Sequence, residues 1–308
     1  MFDLRYHVAS LAAVFIAIAV GIVIGVAIAS GGAVDEATKS FQDSRIQSLE
    51  KELDAERARG DRSEKQQEAI ADVMNDVYPA LMEGRLAAKR YALVFLGPID
   101  GGVRSAVEKT LTDADSGSPL RVTALELPVD VDAIDEMLTG DPGLASYVGD
   151  ARLGDLGGAL ARELAAGGDT PVWDLLSNEI VEQRTGSLTE PVDGVVVIRS
   201  WWPGKTSDPA AKGRASQTEA VLAGMIRELG ELGVPAVGVE SATAEESAVD
   251  AYRQFGVSSV DDVDTLPGRV ALALLLAGGE SGHYGIKDSA SDGVTPPIEP
   301  LPVVTVAG

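Results

Sequence analysis

The sequence predicts an α/β fold: a mostly parallel-sheet domain, preceded by a charged juxtamembrane helix and a single N-terminal transmembrane helix. Three observations predict it. The run from Val8 to Ala29 carries no charge for about 22 residues, enough to cross a hydrocarbon core of roughly 30 Å. Residues 35–78 are rich in Glu, Lys, Arg, Gln and Ala and contain no proline, as a long solvated helix should. After Arg90, short β-branched runs alternate with helical stretches, the signature of βαβ units. Residues 1–34 are therefore read as a membrane anchor, 35–90 as a helical stalk, 91–287 as an extracytoplasmic α/β domain and 288–308 as a Pro/Ser/Gly-rich tail.

The anchor is expected to stay uncleaved. Ala27-Ile28-Ala29 before Ser30 resembles a signal-peptidase site, but the apolar run exceeds the usual h-region of about 7–15 residues and only Arg5 precedes it as a strong base. The N-terminus is placed in the cytoplasm and the main domain outside the cytoplasmic membrane. Small residues recur every fourth position, including Ala17, Gly21, Gly25 and Ala29, and this stripe is a candidate face for helix packing. In the stalk, apolar residues stand at Phe41, Ile46, Leu49, Leu53, Ile70, Val73 and Val77. Ile46, Leu49 and Leu53 fit the a and d positions of a heptad, while Glu56 and Gly60 fall where the seam should continue. A short or broken coiled coil and a plain solvated helix both fit that pattern. Together the two segments favour a homodimer or a helical membrane partner over a monomer.

In the main domain, strands are expected at Tyr91–Leu96, Arg121–Leu125, Gly194–Arg199 and Val234–Val239, each a continuous apolar run of the kind covered on both faces. Helices are expected near Val103–Asp113, Leu153–Ala165, Ser216–Leu232, Ala244–Phe255 and Arg269–Leu276. Residues 127–190 read as a helical insertion, and the chain from Asp288 as a loosely ordered tail.

Charge narrows the partners. Of the formal net charge of −23, residues 91–308 carry −20, so this domain would repel phosphate backbones and nucleic acid is excluded as a partner. With no cysteine there are no disulfides, thiolate metal sites or thiol nucleophiles. The loop Gly97-Pro98-Ile99-Asp100-Gly101-Gly102, with Glu126 ending the next strand, has the placement of a nucleotide-binding turn. The middle glycine of GxGxxG is missing, however, Pro98 stands inside the loop, and such a turn needs no ligand. Trp201-Trp202-Pro203-Gly204 offers either an aromatic contact surface or packing at the sheet edge. There are two histidines and no GxSxG; His283 has no visible triad partner, and no enzyme activity is expected. No cofactor is evident. The weak metal candidates are His283 with Asp261, Asp262 and Asp264, whose alternative roles are structural: carboxylates at a helix entry, and a Gly282-His283-Tyr284-Gly285 turn with Tyr284 packed on the sheet.

Two stretches, LRYHVASLAAVFIAIAVGIVIG near the N-terminus and SVDDVDTLPGRVALALLLAGGESGHYG near the C-terminus, stand out. On these the sequence resembles the actinobacterial copper transport protein B (MctB) family of copper transport outer membrane proteins. The resemblance implies a membrane-associated envelope protein of copper efflux or homeostasis, with copper as a ligand by resemblance alone. The residues offer copper little: no Cys, five scattered Met, and histidines at opposite ends. Repeated alternating segments of a membrane barrel are also missing. The alternative is a non-enzymatic scaffold presenting its α/β domain to other envelope proteins.

Overall fold

A computed structural model describes the backbone of residues 4–29 and 33–299 and the side chains of residues 11–27, 45 and 47–299. The side chains of Ala29, Phe41 and Ile46 and the tail from Pro300 onward lie outside the described residues. The chain divides into two units, Met1–Asp72 and Val73–Gly308.

The first unit is helical. Helix α1 spans Leu4–Ala29, and α2 begins at Ala33 and continues to Met82. The described α1 side chains, Leu11 to Ala27, are all exposed, although most are apolar. Among the described residues no helix is long and apolar enough to cross a membrane. Along α2, Leu49, Leu53 and Ile70 are likewise exposed apolar residues on a charged helix.

The second unit is a three-layer α/β/α domain. Its seven-stranded sheet has the order β3-β2-β1-β4-β5-β6-β7, with β1 Tyr91–Leu96, β2 Arg121–Leu125, β3 Val181–Gly186, β4 Gly194–Arg199, β5 Ala236–Val239, β6 Ser258–Val260 and β7 His283–Tyr284. All neighbours pair in parallel except β2 with β3. The alternation of β1 shows why its run is apolar throughout. Ala92, Val94 and Leu96 enter one core, and Tyr91, Leu93 and Phe95 enter the other.

The first core lies under α4 (Val131–Gly140), α5 (Leu153–Ala166), α6 (Pro171–Ile180) and α7 (Pro209–Glu231), with Tyr252 from the short α8 (Val249–Gln254). The second lies under α3 (Gly101–Asp113), α9 (Leu266–Leu276) and the end of α2, where Tyr78 and Met82 are buried and Tyr78 donates its hydroxyl to Asp113 at 2.7 Å. Helices α5 and α7 touch backbone to backbone: a Cβ at Gly157 would stand 2.0 Å from the Val221 carbonyl oxygen, so no larger residue fits there.

The four expected strands are present, the last shortened to Ala236–Val239. Three others join them. Strand β3 is a polar, largely exposed edge with no apolar alternation, and β6 and β7 are only three and two residues long, so none had a hydrophobic signature to read. The region 127–190 is helical as expected up to Ile180 and then returns antiparallel to the sheet edge. The tail differs from expectation over its first residues: Ser289 donates to Asp261 at 3.0 Å, and the Ser289 carbonyl accepts from Arg253 at 2.8 Å, which ties this stretch to the domain.

Candidate functional site

Because six strands run parallel, their carboxyl ends and the loops after them share one rim. The chain reverses its winding between β1 and β4, since β2 is added on one side of β1 and β4 on the other. Ligands of open α/β sheets collect at such a switch point. A cavity of about 600 Å³ opens here, lined by Asp100 and Gly102 after β1, Arg199 and Trp202 at the end of β4, Glu240 to Glu246 after β5, and Asp264 after β6.

The lining is acidic, and most of its carboxylates are committed. Asp100 caps α3, accepting from the Gly102 and Val103 amides at 2.8 and 3.0 Å. These are the N–H groups that a phosphate would use, so the Gly97–Gly102 loop turns its helix start toward its own carboxylate, and Glu126 is exposed away from the core. Asp264 accepts from the Ser241 hydroxyl at 2.9 Å and the Ala242 amide at 2.7 Å. Buried Glu240 accepts from the Ala248 amide at 3.0 Å and from Lys287 Nζ at 2.9 Å. Glu245 and Glu246 are exposed at the mouth. The cation in the wall, Arg199, is 8% exposed, pairs with Glu219 and stacks 4.3 Å from the Trp202 ring centroid. Trp201 and Trp202 both pack against the first core, and Trp202 also lines the cavity.

The second candidate region is the end of β6. Asp261 and Asp262 are fully buried. Asp261 Oδ1 accepts from the Ile286 and Lys287 amides at 2.9 and 3.3 Å, and its Oδ2 accepts from Ser289. Gly285, which follows β7 directly and has φ +141°, must be glycine: a Cβ there would lie 1.9 Å from Asp261 Oδ1. Asp262 Oδ2 accepts from the Thr265 hydroxyl at 2.7 Å, while its Oδ1 is buried without a hydrogen-bond partner. Burial pushes the Asp262 carboxyl above its ordinary range, and the charges of Asp261 and Asp264 add to the rise against the Thr265 hydrogen bond and Lys287. Thr265 caps α9 through the Gly268 amide at 3.1 Å.

His283 is not the expected turn residue but a member of β7, paired with Ser259, whose hydroxyl meets its Nδ1 at 2.9 Å. Burial and the nearby Arg253 guanidinium lower its pKa against the pull of Asp292 and Asp250. Tyr284 is buried in the second core and donates to the Glu280 carbonyl at 3.1 Å. Among the described residues no group of three or more His, Asp or Glu is placed to hold a metal ion. Asp261, Asp262 and Asp264 follow β6 and are hydrogen-bonded to groups of this chain, while His283 lies within β7 beside Ser259. Of the membrane-helix stripe, Ala17, Gly21 and Gly25 lie on α1, and a Cβ at either glycine would meet no described atom within 4 Å.

Sequence reasoning missed the Arg199–Glu219–Trp202 and Glu240–Lys287 groups. The available signal was positional: Arg199 and Glu240 are charged residues at the carboxyl ends of apolar strands, where this fold places functional groups. It also missed Arg121, a buried guanidinium donating to the Leu164 and Leu188 carbonyls, both at 3.1 Å, and to that of Glu190, with Nε unpartnered.

Comparison with known proteins adds what this geometry leaves open. The model of a family described as "Copper transport outer membrane protein, MctB" matches residues 1–296. Proteins named "Copper transporter MctB" from Mycobacterium bovis and from two strains of Mycobacterium tuberculosis are 25% identical, over 92% of this chain and 96% of each relative.

Proposed function

The chain belongs to the MctB copper transport outer membrane protein family, and we propose that it is a membrane-anchored envelope protein of copper efflux or homeostasis that works through partners and not as a pore by itself. One observation carries the copper reading: the family match runs from residue 1 to residue 296, through the apolar helix, the stalk and the α/β domain together. The anchor is α1, on the strength of its uncharged Val8–Ala29 sequence, with the N-terminus inside and the domain outside. The absence of a pore is supported by the sheet, whose described strands form an open, helix-covered layer with edges at β3 and β7.

The protein acts without catalysis of its own: the domain's imidazole is engaged with Ser259, and the switch-point carboxylates of Asp100, Glu240 and Asp264 are spent on backbone amides, a hydroxyl and Lys287. Cells lacking the chain should accumulate copper and stop growing at lower copper concentrations, with recovery when the full chain is restored. Unchanged cellular copper would refute the assignment. A second reading, the interaction scaffold, is favoured by the way Asp261 and Asp264 are consumed by hydrogen bonds within the chain. Copper titration of the full-length protein in detergent separates the two: tight stoichiometric binding favours direct copper handling, and envelope partners co-purifying without metal favour the scaffold.

A further inference from the structure

Helix α2 carries an exposed apolar face for which its own sequence supplies the complement. Leu49, Leu53 and Ile70 are 59%, 51% and 67% exposed. Numbering heptads from Ile46 as a puts Leu49 at d and Leu53 at a, and the same unbroken frame puts Ile70 at d, Met74 at a and Val77 at d. The polar middle of the seam, Glu56, Gly60, Ser63 and Gln67, therefore interrupts the apolar layers without shifting their phase. A register kept across four polar layers is what a partner helix following the same face requires.

The flanking positions identify the partner. In a parallel, in-register pair each g residue faces the e residue five positions later on the other helix. Here Arg45 faces Glu50, Glu52 faces Arg57, and Arg59 faces Glu64, opposite charges in every case. The antiparallel alignment that would bring the two apolar ends together keeps only Arg57 opposite Glu64. Within one chain Arg57 lies 3.6 Å from Asp54, and Arg59 pairs with Glu56. These side chains are 62–75% exposed, so the pairs are weak and free to exchange for interhelical ones. We infer that the face of α2 carrying Leu49 and Leu53 docks a second copy of this chain, as a parallel, in-register two-stranded coiled coil. The inference stands whether or not α1 enters a membrane, because every residue it uses is on α2.

The test exploits the absence of cysteine from the full chain. In detergent-solubilised full-length protein under mild oxidation, Leu49→Cys and Leu53→Cys should each form disulfide-linked homodimers, and Lys51→Cys on the outer face should not. In the Leu53→Cys background, Glu52→Arg should weaken dimerisation by roughly fivefold, and adding Arg57→Glu should restore it. Fluorescence melting of the α/β unit, whose three tryptophans all lie after residue 90, checks that each variant folds. Equal crosslinking at positions 51 and 53 would overturn the inference. So would crosslinking of the Leu53→Cys variant only to an Ile70→Cys partner, crosslinking to a different protein, or failure of the double reversal to restore the dimer.

Discussion

Replacing Asp261 by alanine tests whether the acidic block at the end of β6 is a structural clamp. The carboxylate is fully buried and receives the Ile286 amide at 2.9 Å, the Lys287 amide at 3.3 Å and the Ser289 hydroxyl at 3.0 Å. A hydrogen bond to a charged acceptor contributes about 1.5–3 kcal/mol net, and the long Lys287 bond belongs at or below the bottom of that range. Losing the two shorter bonds costs about 3–6 kcal/mol. Part of this is returned, because removing the Asp261 charge relieves the buried Asp262 beside it. The expected net loss is therefore about 2–4 kcal/mol, and Asp261→Asn, which keeps one acceptor oxygen, should lose roughly half as much. Urea unfolding of the full-length protein, followed by the fluorescence of Trp173, Trp201 and Trp202, reads the α/β unit alone. Hydrogen exchange gives the local readout, with protection of the Ile286 amide falling at least about tenfold in the alanine variant. An alanine variant within about 0.5 kcal/mol of the parent, with that amide still protected, would show that the clamp is dispensable.

Three further expectations follow from the same rim, and a fourth from α1. The raised pKa of Asp262 in the folded protein means that the native state binds its proton more tightly than the unfolded chain does. Its favourable contribution is complete below the ordinary carboxylate value and is lost as pH rises through the folded value, so Asp262→Asn should flatten the fall in melting temperature as pH rises above the ordinary carboxylate range of about 4. An unchanged slope would refute the shift. Tyr284→Ala should destabilise by about 2–4 kcal/mol through lost aromatic burial, and Tyr284→Phe by about 1 kcal/mol through the Glu280 bond, both read by urea unfolding. Calorimetry of His283→Ala should show any copper affinity nearly unchanged, and a tenfold loss with melting intact would make this strand a metal site. Gly21→Ile with Gly25→Ile, harmless within one chain by the open space at both positions, should weaken self-association in membranes; equal crosslinking would show that the stripe is composition alone.

What was legible in the sequence followed burial. Tyr91–Leu96 and Gly194–Arg199 could be read as strands because helices on both faces require nearly every residue to be apolar, which leaves an unbroken run. Val181–Gly186 could not, since an exposed edge strand held by backbone pairing to β2 has no pattern to show. The end of α2 was read as stalk up to Arg90, yet Tyr78 and Met82 are buried in the second core, because two core residues at the tip of a charged helix are too few to alter its periodicity. Helix positions did not depend on a side-chain cap alone: α5 starts at Leu153 as expected with no side-chain cap, while α7, capped by Asp208, starts at Pro209 and not at Ser216. Asp100 and Thr265 precede α3 and α9 and accept from their first amides, and both helices begin within three residues of the expected place.

The site was less legible for a different reason. The spacing of Asp261, Asp262 and Asp264 reads as a helix entry or a weak metal site, and the hold of Asp261 on the backbone after β7 depends on the parallel pairing of β7 beside β6, which no spacing encodes. That pairing brings Gly285 against Asp261, and the left-handed turn it allows delivers the Ile286 and Lys287 amides to the carboxylate. Lys287 then reaches Glu240 on the wall of the switch-point cavity. The stretch SVDDVDTLPGRVALALLLAGGESGHYG, which carried the family resemblance, is therefore one structural unit: β6, the α9 cap and the closing strand, held to the rim of the cavity by its acids. A motif that builds the rim is recognisable in sequence through the structural roles of its residues. This is how the family could be read from residues that offer copper so little.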